Sequence, residues 1–68
     1  MKISARNVLK GKIVEVIKGA TTAHVRIEAG GTIVTASITN DAVEDLGYVN
    51  GMAASAVIKA SDVMVAVD

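Results

Sequence analysis

Residues 22–38 carry the clearest structural pattern in the chain and read TAHVRIEAGGTIVTASI. Before the glycine pair every second residue is apolar, which predicts a half-buried β-strand over Thr22 to Ala29. Gly30-Gly31 can supply the positive φ angles of a tight turn, after which Thr32 to Ile38 returns as an antiparallel strand. The predicted core face carries Ala23, Val25 and Ile27, and the opposite face carries His24, Arg26 and Glu28.

The same period of two and the same glycine breaks extend outward from this hairpin. Leu9 to Ile17 predicts an earlier strand, while Ala53 to Lys59 and Val63 to Val67 predict two later ones. Thr39 to Gly47 breaks the alternation with polar N-cap residues, acidic residues and a closing glycine, which predicts one short helix. We therefore expect an all-β fold, a small five-stranded OB-like barrel with one helix, and an SH3-like barrel is the alternative.

Length and composition predict an oligomer. We expect one domain over residues 1–68, and a core that small gives only marginal stability. The sequence has no cysteine and a single histidine, so neither a disulfide nor a structural zinc site can add to it. Hydrophobic residues make up 51% of the chain, mostly Val, Ile and Ala, and Tyr48 is the one aromatic residue. More apolar surface than one core can bury indicates self-association.

The charge balance excludes several partners. Seven Lys and Arg residues stand against seven Asp and Glu residues. Nucleic-acid binding needs a basic groove and stacking aromatic rings, and the chain offers neither. No apolar run approaches the ~20 residues that cross a bilayer, and the N-terminus lacks a signal peptide's apolar stretch. We expect a cytoplasmic protein with no nucleic-acid and no membrane partner.

The residues that catalysis requires are missing from the sequence. His24 is the only good candidate for a catalytic base, and its place on the polar face of a strand is typical of a solvated histidine. There is no cysteine nucleophile, phosphate-binding loop or zinc-protease spacing, and Glu44-Asp45 is typical of solvated helix charges. We therefore predict a protein that is not an enzyme and uses no organic cofactor.

Two polar segments interrupt the apolar pattern. Ser4-Ala5-Arg6-Asn7 offers a hydroxyl, a guanidinium and an amide, and Lys59-Ala60-Ser61-Asp62 offers an ammonium and a hydroxyl. A buried tetrahedral dianion needs such donors, and small alanines let backbone N–H groups approach it, as the start of a helix also can. Ordinary surface charges and turn caps are the alternative interpretation, and spacing alone favours that alternative.

These segments resemble a known family. Ser4 to Gly11 resembles the Ser-Ala-Arg-Asn-x-Leu-x-Gly opening of the molbindins, which are small molybdate-binding proteins. Ile38-Thr39, Leu46-Gly47, Gly51 and then Val57 to Met64 resemble the rest of the pattern, so the resemblance spans the chain. It implies OB-like domains assembled as a trimer of dimers, a homohexamer, with first strands exchanged within each dimer and oxyanion sites at subunit interfaces.

The resemblance also implies a set of ligand-binding residues. Arg6 and Lys59 would neutralise molybdate or tungstate, Ser4 and Ser61 would donate hydroxyls, and three alanines would donate backbone N–H groups. One chain would supply the first segment, and its partner the second segment with the helix start. Some relatives have Ser at the position of Ala42, so in this chain only the backbone amide can contribute there. The implied set is Ser4, Ala5, Arg6, Thr39, Ala42, Lys59, Ala60 and Ser61, with a candidate second site on the threefold axis at Lys18, Gly19, Ala20 and Thr21.

The function that follows is intracellular storage or homeostasis of molybdate or tungstate, with the metal entering only as its oxyanion. Sulfate stays open, because all three anions are tetrahedral dianions and counting donors does not separate them. A different class of function also stays open, namely a non-catalytic oligomeric interaction module on the same OB-like fold. A role in reading DNA is disfavoured, since no helix-turn-helix accompanies the domain.

Overall fold

The computed structural model describes residues 3–47 and 49–68, and expectations that involve Met1, Lys2 or Tyr48 lie outside the described residues. Within the described part, four strands form one antiparallel sheet. A short α-helix follows the third strand, and a single turn of 3-10 helix follows the fourth. The elements are β1 (Asn7–Lys18), β2 (Thr22–Ala29), β3 (Thr32–Thr39), α1 (Asn40–Leu46), β4 (Ala53–Ile58) and the 3-10 turn Ala60–Asp62.

The long strand β1 organises the sheet, whose strand order is β3-β2-β1-β4. Its first half pairs with β4 and its second half with β2, and Lys12 takes part in both ladders. Between Ile13 and Glu15 the register shifts by one residue, and such a bulge bends the strand. The bulge also changes which residues face the core, so Ile13 is buried whereas Ile17 is exposed. Simple alternation along the sequence does not predict that change.

Gly11 lies where β1 passes closest to β2. A Cβ atom at this position would overlap the carbonyl oxygen of Glu28, so the two backbones can approach this closely only at a residue without a side chain. The close approach of β1 to β2 at this point therefore requires a glycine, two residues before the bulge begins.

The core lies on the face of the hairpin that the sequence predicted. Val25 is 2% exposed and Ile27 is 7% exposed, so the predicted inner face of β2 is confirmed. Helix α1 packs Val43 onto this face, whereas its other large apolar residue, Leu46, is exposed. The buried core consists of Ile13, Ala23, Val25, Ile27, Val43 and Ala56.

The predicted helix and its caps are confirmed. Thr39, the first residue of the predicted segment, is the N-cap, and its hydroxyl oxygen accepts the backbone N–H of Ala42 at 3.1 Å. Gly47 ends the helix with φ 65°, a left-handed conformation that costs glycine little. Asp41 in the first turn interacts favourably with the positive end of the helix dipole.

The described chain has four strands where five were predicted. Val63 to Val67 forms no strand and is largely exposed, Met64 being 94% exposed. A strand requires a neighbouring edge for its backbone hydrogen bonds, and alternation alone does not provide one. Strand β4 ends at Ile58, one residue before the predicted end, and the 3-10 turn follows it. Residues 63–67 then pair with neither edge strand of the sheet. The predicted barrel is accordingly an open sheet, with β3 and β4 at its edges.

Candidate oxyanion site

The two polar segments lie at the same end of the sheet. In the β1–β4 ladder Asn7 pairs with Ile58; Arg6 directly precedes Asn7, and Lys59 directly follows Ile58. Neighbouring antiparallel strands lie about 4.8 Å apart. Arg6 and Lys59 therefore lie next to each other just beyond the last pair of the ladder. The structure thus brings the predicted cations of both segments to one place within a single chain.

These two cations have no acidic partner within the described residues. The ion pairs there join Lys18 to Glu44 and Arg26 to Glu15, each at 3.2 Å, and neither includes the cations at the ladder end. Arg6 and Lys59 are both exposed. Two adjacent like charges without a counterion favour an anion between them.

The 3-10 turn adds backbone donors beside the cations. It uses the N–H groups of Asp62 and Val63, which donate to the carbonyls of Lys59 and Ala60 at 2.9 and 3.3 Å. Among the described residues the N–H groups of Ala60 and Ser61 have no backbone acceptor. Ser61 itself is exposed, so its hydroxyl can reach the same region. At the matching end of the first segment, Ser4 is exposed and Ala5 is half-buried.

Thr39 and Ala42 lie elsewhere in the chain. Thr39 pairs with Thr22 at the start of β2, next to the Lys18 end of β1, whereas the cations leave the ladder at the Asn7 end. The resemblance implied that the helix start and the second polar segment act together from one chain. In the described chain the ladder instead groups the second segment with the first, and the helix start lies at the opposite end of β1.

Part of the helix start is already hydrogen-bonded within the chain. The Ala42 N–H donates to the Thr39 hydroxyl at 3.1 Å, and the Asn40 N–H donates to the Thr21 carbonyl at 2.9 Å. An anion at this position would therefore have to replace the N-cap bond before it could accept from Ala42.

The candidate second site, residues 18–21, is a turn that is hydrogen-bonded to helix α1. The side-chain amide of Asn40 donates to the Gly19 carbonyl at 2.9 Å, which holds the turn against α1. Lys18 pairs with Glu44, so its charge is already compensated. A hollow of about 290 Å³ lies beside this turn, lined by Ile17, Gly19, Thr22 and His24. The uncompensated positive charge is therefore smaller at this turn (Lys18, Gly19, Ala20 and Thr21) than at the end of the β1–β4 ladder, where Arg6 and Lys59 lie.

A larger cleft of about 350 Å³ opens between the edges of β3 and β4. None of the residues in the predicted oxyanion set lines it. Its walls are mostly aliphatic, which suits apolar groups and does not compensate a dianion. The lining includes Ile13, Val25, Ile27, Val34, Ile38, Ala54, Ala56 and Ile58.

Residues 3–47 and 49–68 contain no helix with the length and apolar character needed to cross a membrane. Their Asp, Glu and His side chains form no cluster of three that could bind a metal ion directly.

Comparison with known proteins identifies related chains. The family model described as "TOBE domain" matches residues 3–65. Molybdenum-pterin-binding protein 3 of Clostridium pasteurianum is 56% identical over 66 residues, which cover 96% of this chain and 97% of the relative. The solved structure of a molybdate-binding protein from Sporomusa ovata superposes with a TM-score of 0.92 at 39% identity, covering 97% of this chain and 98% of that chain.

A second similar structure contains the anion. The cytoplasmic molybdate-binding protein ModG, solved with molybdate bound, matches with a TM-score of 0.90 at 45% identity, over 94% of this chain and 46% of that chain. The open antiparallel sheet and the family match together define the class, which is a TOBE domain with OB-like neighbours. Within that class, the chain belongs to the molbindins, the Mop-type molybdenum-pterin-binding proteins.

Proposed function

We propose that this protein binds molybdate or tungstate and stores or buffers the anion in the cytoplasm, without catalysing a reaction. The adjacency of Arg6 and Lys59 at the end of the β1–β4 ladder carries this proposal, because no acidic side chain within the described residues compensates either charge. The names of the relatives support the choice of anion. The Sporomusa ovata protein is described as molybdate-binding, and ModG was solved with molybdate bound.

The proposed site matches the charge and the shape of a tetrahedral dianion. The guanidinium of Arg6 can donate two parallel hydrogen bonds to two of the oxygens, and the ammonium of Lys59 balances the second negative charge. Ser4 and Ser61 supply neutral hydroxyl donors. The backbone N–H groups of Ala5, Ala60 and Ser61 fill the remaining acceptor positions. With no base or nucleophile in this set, the anion is held and released unchanged.

The proposed site lies at a subunit interface. Because Thr39 and Ala42 lie at the opposite end of β1 within one chain, we assign their contribution to a neighbouring subunit. Such a helix start would bring the positive end of its dipole to the anion, and the Ala42 N–H would exchange the Thr39 hydroxyl for an anion oxygen. The turn Lys18 to Thr21 is proposed only as a second, weaker site.

We expect the protein to form a compact homohexamer at micromolar concentration, a trimer of dimers. The physical reason is the apolar surface that a single chain leaves exposed, which association would bury. Sedimentation velocity measures the assembly directly, and a folded, stable monomer at this concentration would contradict both the hexamer and the interface site. The exposed apolar residues include Val8, Leu9, Ile17, Ile33, Val57, Val63, Met64, Val65 and Val67.

Calorimetric titration tests the proposed function. We expect saturable binding of molybdate and of tungstate, and weaker binding of sulfate, because a cavity shaped for the larger anions leaves longer hydrogen bonds to a smaller one. The three titrations use the same buffer and the same preparation, whose folding is checked by circular dichroism. If a folded oligomer gives no saturable signal with any of the three anions, the function is not oxyanion storage, and an interaction module becomes the better description.

A further inference from the structure

We propose that Asn7 is a positioning residue of the oxyanion site, which holds Lys59 beside Arg6 within one chain. The inference rests on the proposed anion binding and deepens it. The side-chain amide of Asn7 donates to the carbonyl oxygen of Ile58 at 3.3 Å, across a sequence separation of 51 residues. Asn7 directly follows one cation of the site, and Ile58 directly precedes the other.

The hydrogen bond between Asn7 and Ile58 lies where the paired region of β1 and β4 ends, and the strands need stabilisation at that point. The pair Asn7–Ile58 is the last pair of the β1–β4 ladder, and neither Arg6 nor Lys59 belongs to a strand. Strand ends open more easily than strand centres, and the two cations repel each other whenever no anion lies between them. A side-chain bond to the last carbonyl opposes both effects at the point where the strands separate.

The chemistry of the side chain suits this task. Asn7 is half-buried, which lowers the competition from water for its amide, and it is neutral. An aspartate of the same shape could not donate to the Ile58 carbonyl, and its charge would compete with the anion for the two cations. The neutral asparagine therefore stabilises the pairing of β1 with β4 without neutralising the positive charge that the anion needs.

The same hydrogen bond also indicates which subunit supplies Arg6 and Lys59 to a given site. Asn7 and Ile58 belong to one chain and pair within it. It follows that Arg6 and Lys59 of any one site come from the same subunit, although another subunit completes the site. This differs from an arrangement in which the exchange of first strands separates the two cations between chains.

The test is a double-mutant cycle measured by molybdate titration of the full-length protein. We expect Asn7→Ala to weaken binding by about threefold to tenfold, the loss that follows from one neutral hydrogen bond. In a Lys59→Ala background the same change should have no further effect, because no ammonium remains to be positioned. A purely structural role would give an equal loss in both backgrounds and would overturn the inference.

Matched controls separate this inference from the proposed function. Asn50→Ala makes the same substitution in an exposed turn that precedes β4, at the strand end farther from Lys59, and should bind like the wild type. If Asn7→Ala does not fold, Asn7→Ser, which keeps a polar side chain too short to reach the Ile58 carbonyl, replaces it in the cycle. Normal binding by the folded Asn7 variant would overturn the inference alone, whereas failure of the wild type to bind would overturn the proposed function as well.

Mixed oligomers test the single-chain origin of the two cations. Arg6→Ala and Lys59→Ala subunits are coexpressed with different tags, and the doubly tagged assembly is titrated with molybdate. We expect no high-affinity sites, because every site then lacks one cation. Recovery of sites with wild-type affinity would show that the two cations come from different chains and would contradict the inference.

Discussion

Replacing Arg6 or Lys59 by alanine is expected to weaken molybdate binding by about tenfold to a hundredfold or more. Each substitution leaves a dianion in a site that has lost half of its neutralising charge. A charge-assisted hydrogen bond contributes roughly 1.5–3 kcal/mol, which corresponds to this range of affinity. Calorimetric titration of each variant measures the loss. Ser61→Ala removes one neutral donor and should cost less, about 0.5–1.5 kcal/mol.

Two lysines on the same strand provide the controls. Lys10 and Lys12 are exposed and pair with Ser55 and Ala53, further along the ladder from the site. Lys10→Ala and Lys12→Ala should therefore bind molybdate like the wild type, although each removes the same formal charge. Loss of affinity in these two variants, with unchanged binding by the variants of Arg6 and Lys59, would show that the site is assigned to the wrong end of β1.

Thermal unfolding gives a second measurement of the same prediction. A ligand that binds only the native assembly raises its melting temperature, by an amount that depends on ligand concentration and affinity. Added molybdate should raise the melting temperature of the wild type, and should raise it less for Arg6→Ala and Lys59→Ala at the same concentration. Equal shifts in all three proteins would contradict the proposed role of the two cations.

The largest expected effect on stability comes from Gly11→Ala. The new Cβ atom would overlap the carbonyl oxygen of Glu28, which is backbone and cannot rotate away. Separating β1 from β2 should cost about 3 kcal/mol, a large part of the stability of so small a domain. We expect a melting temperature lower by about 10–20 °C, measured by circular dichroism.

Gly30→Ala is the matched control for this prediction. Gly30 has φ 59°, and a Cβ atom there would meet nothing within 4 Å. The substitution adds the same methyl group and costs only the left-handed backbone conformation, about 1 kcal/mol. If the two alanine variants are equally stable, the close approach of the strands at Gly11 is not what requires a glycine there.

The site was only partly predictable from the sequence. The two donor-rich segments and their cations were identified from residue types. The resemblance implied the ligand-binding roles that we propose for them, and family membership is confirmed. The positioning role proposed for Asn7 was not predicted, although the residue lies within the first segment, because its hydrogen bond depends on the strand register. Register is a relation between residues 51 positions apart, and no local pattern reports it.

Short-range sequence patterns specify the local structure of this protein. Alternating apolar residues, the Gly30-Gly31 turn and the capping residues of Thr39 to Gly47 specify the hairpin and the helix, because each depends on neighbours within a few residues. Those predictions are confirmed in the described chain. Composition likewise specifies that more apolar surface exists than one small core can bury.

The pairing of the strands, in contrast, is visible only in the folded chain. The bulge after Ile13 changes which residues of β1 face the core, and the 3-10 turn after Lys59 leaves Val63 to Val67 without a neighbouring strand. The ladder between β1 and β4 places Arg6 beside Lys59 and leaves Thr39 at the opposite end of β1. The physical reason is that pairing depends on which edges come within hydrogen-bonding distance, and the period of side chains along one strand carries no information about its partner.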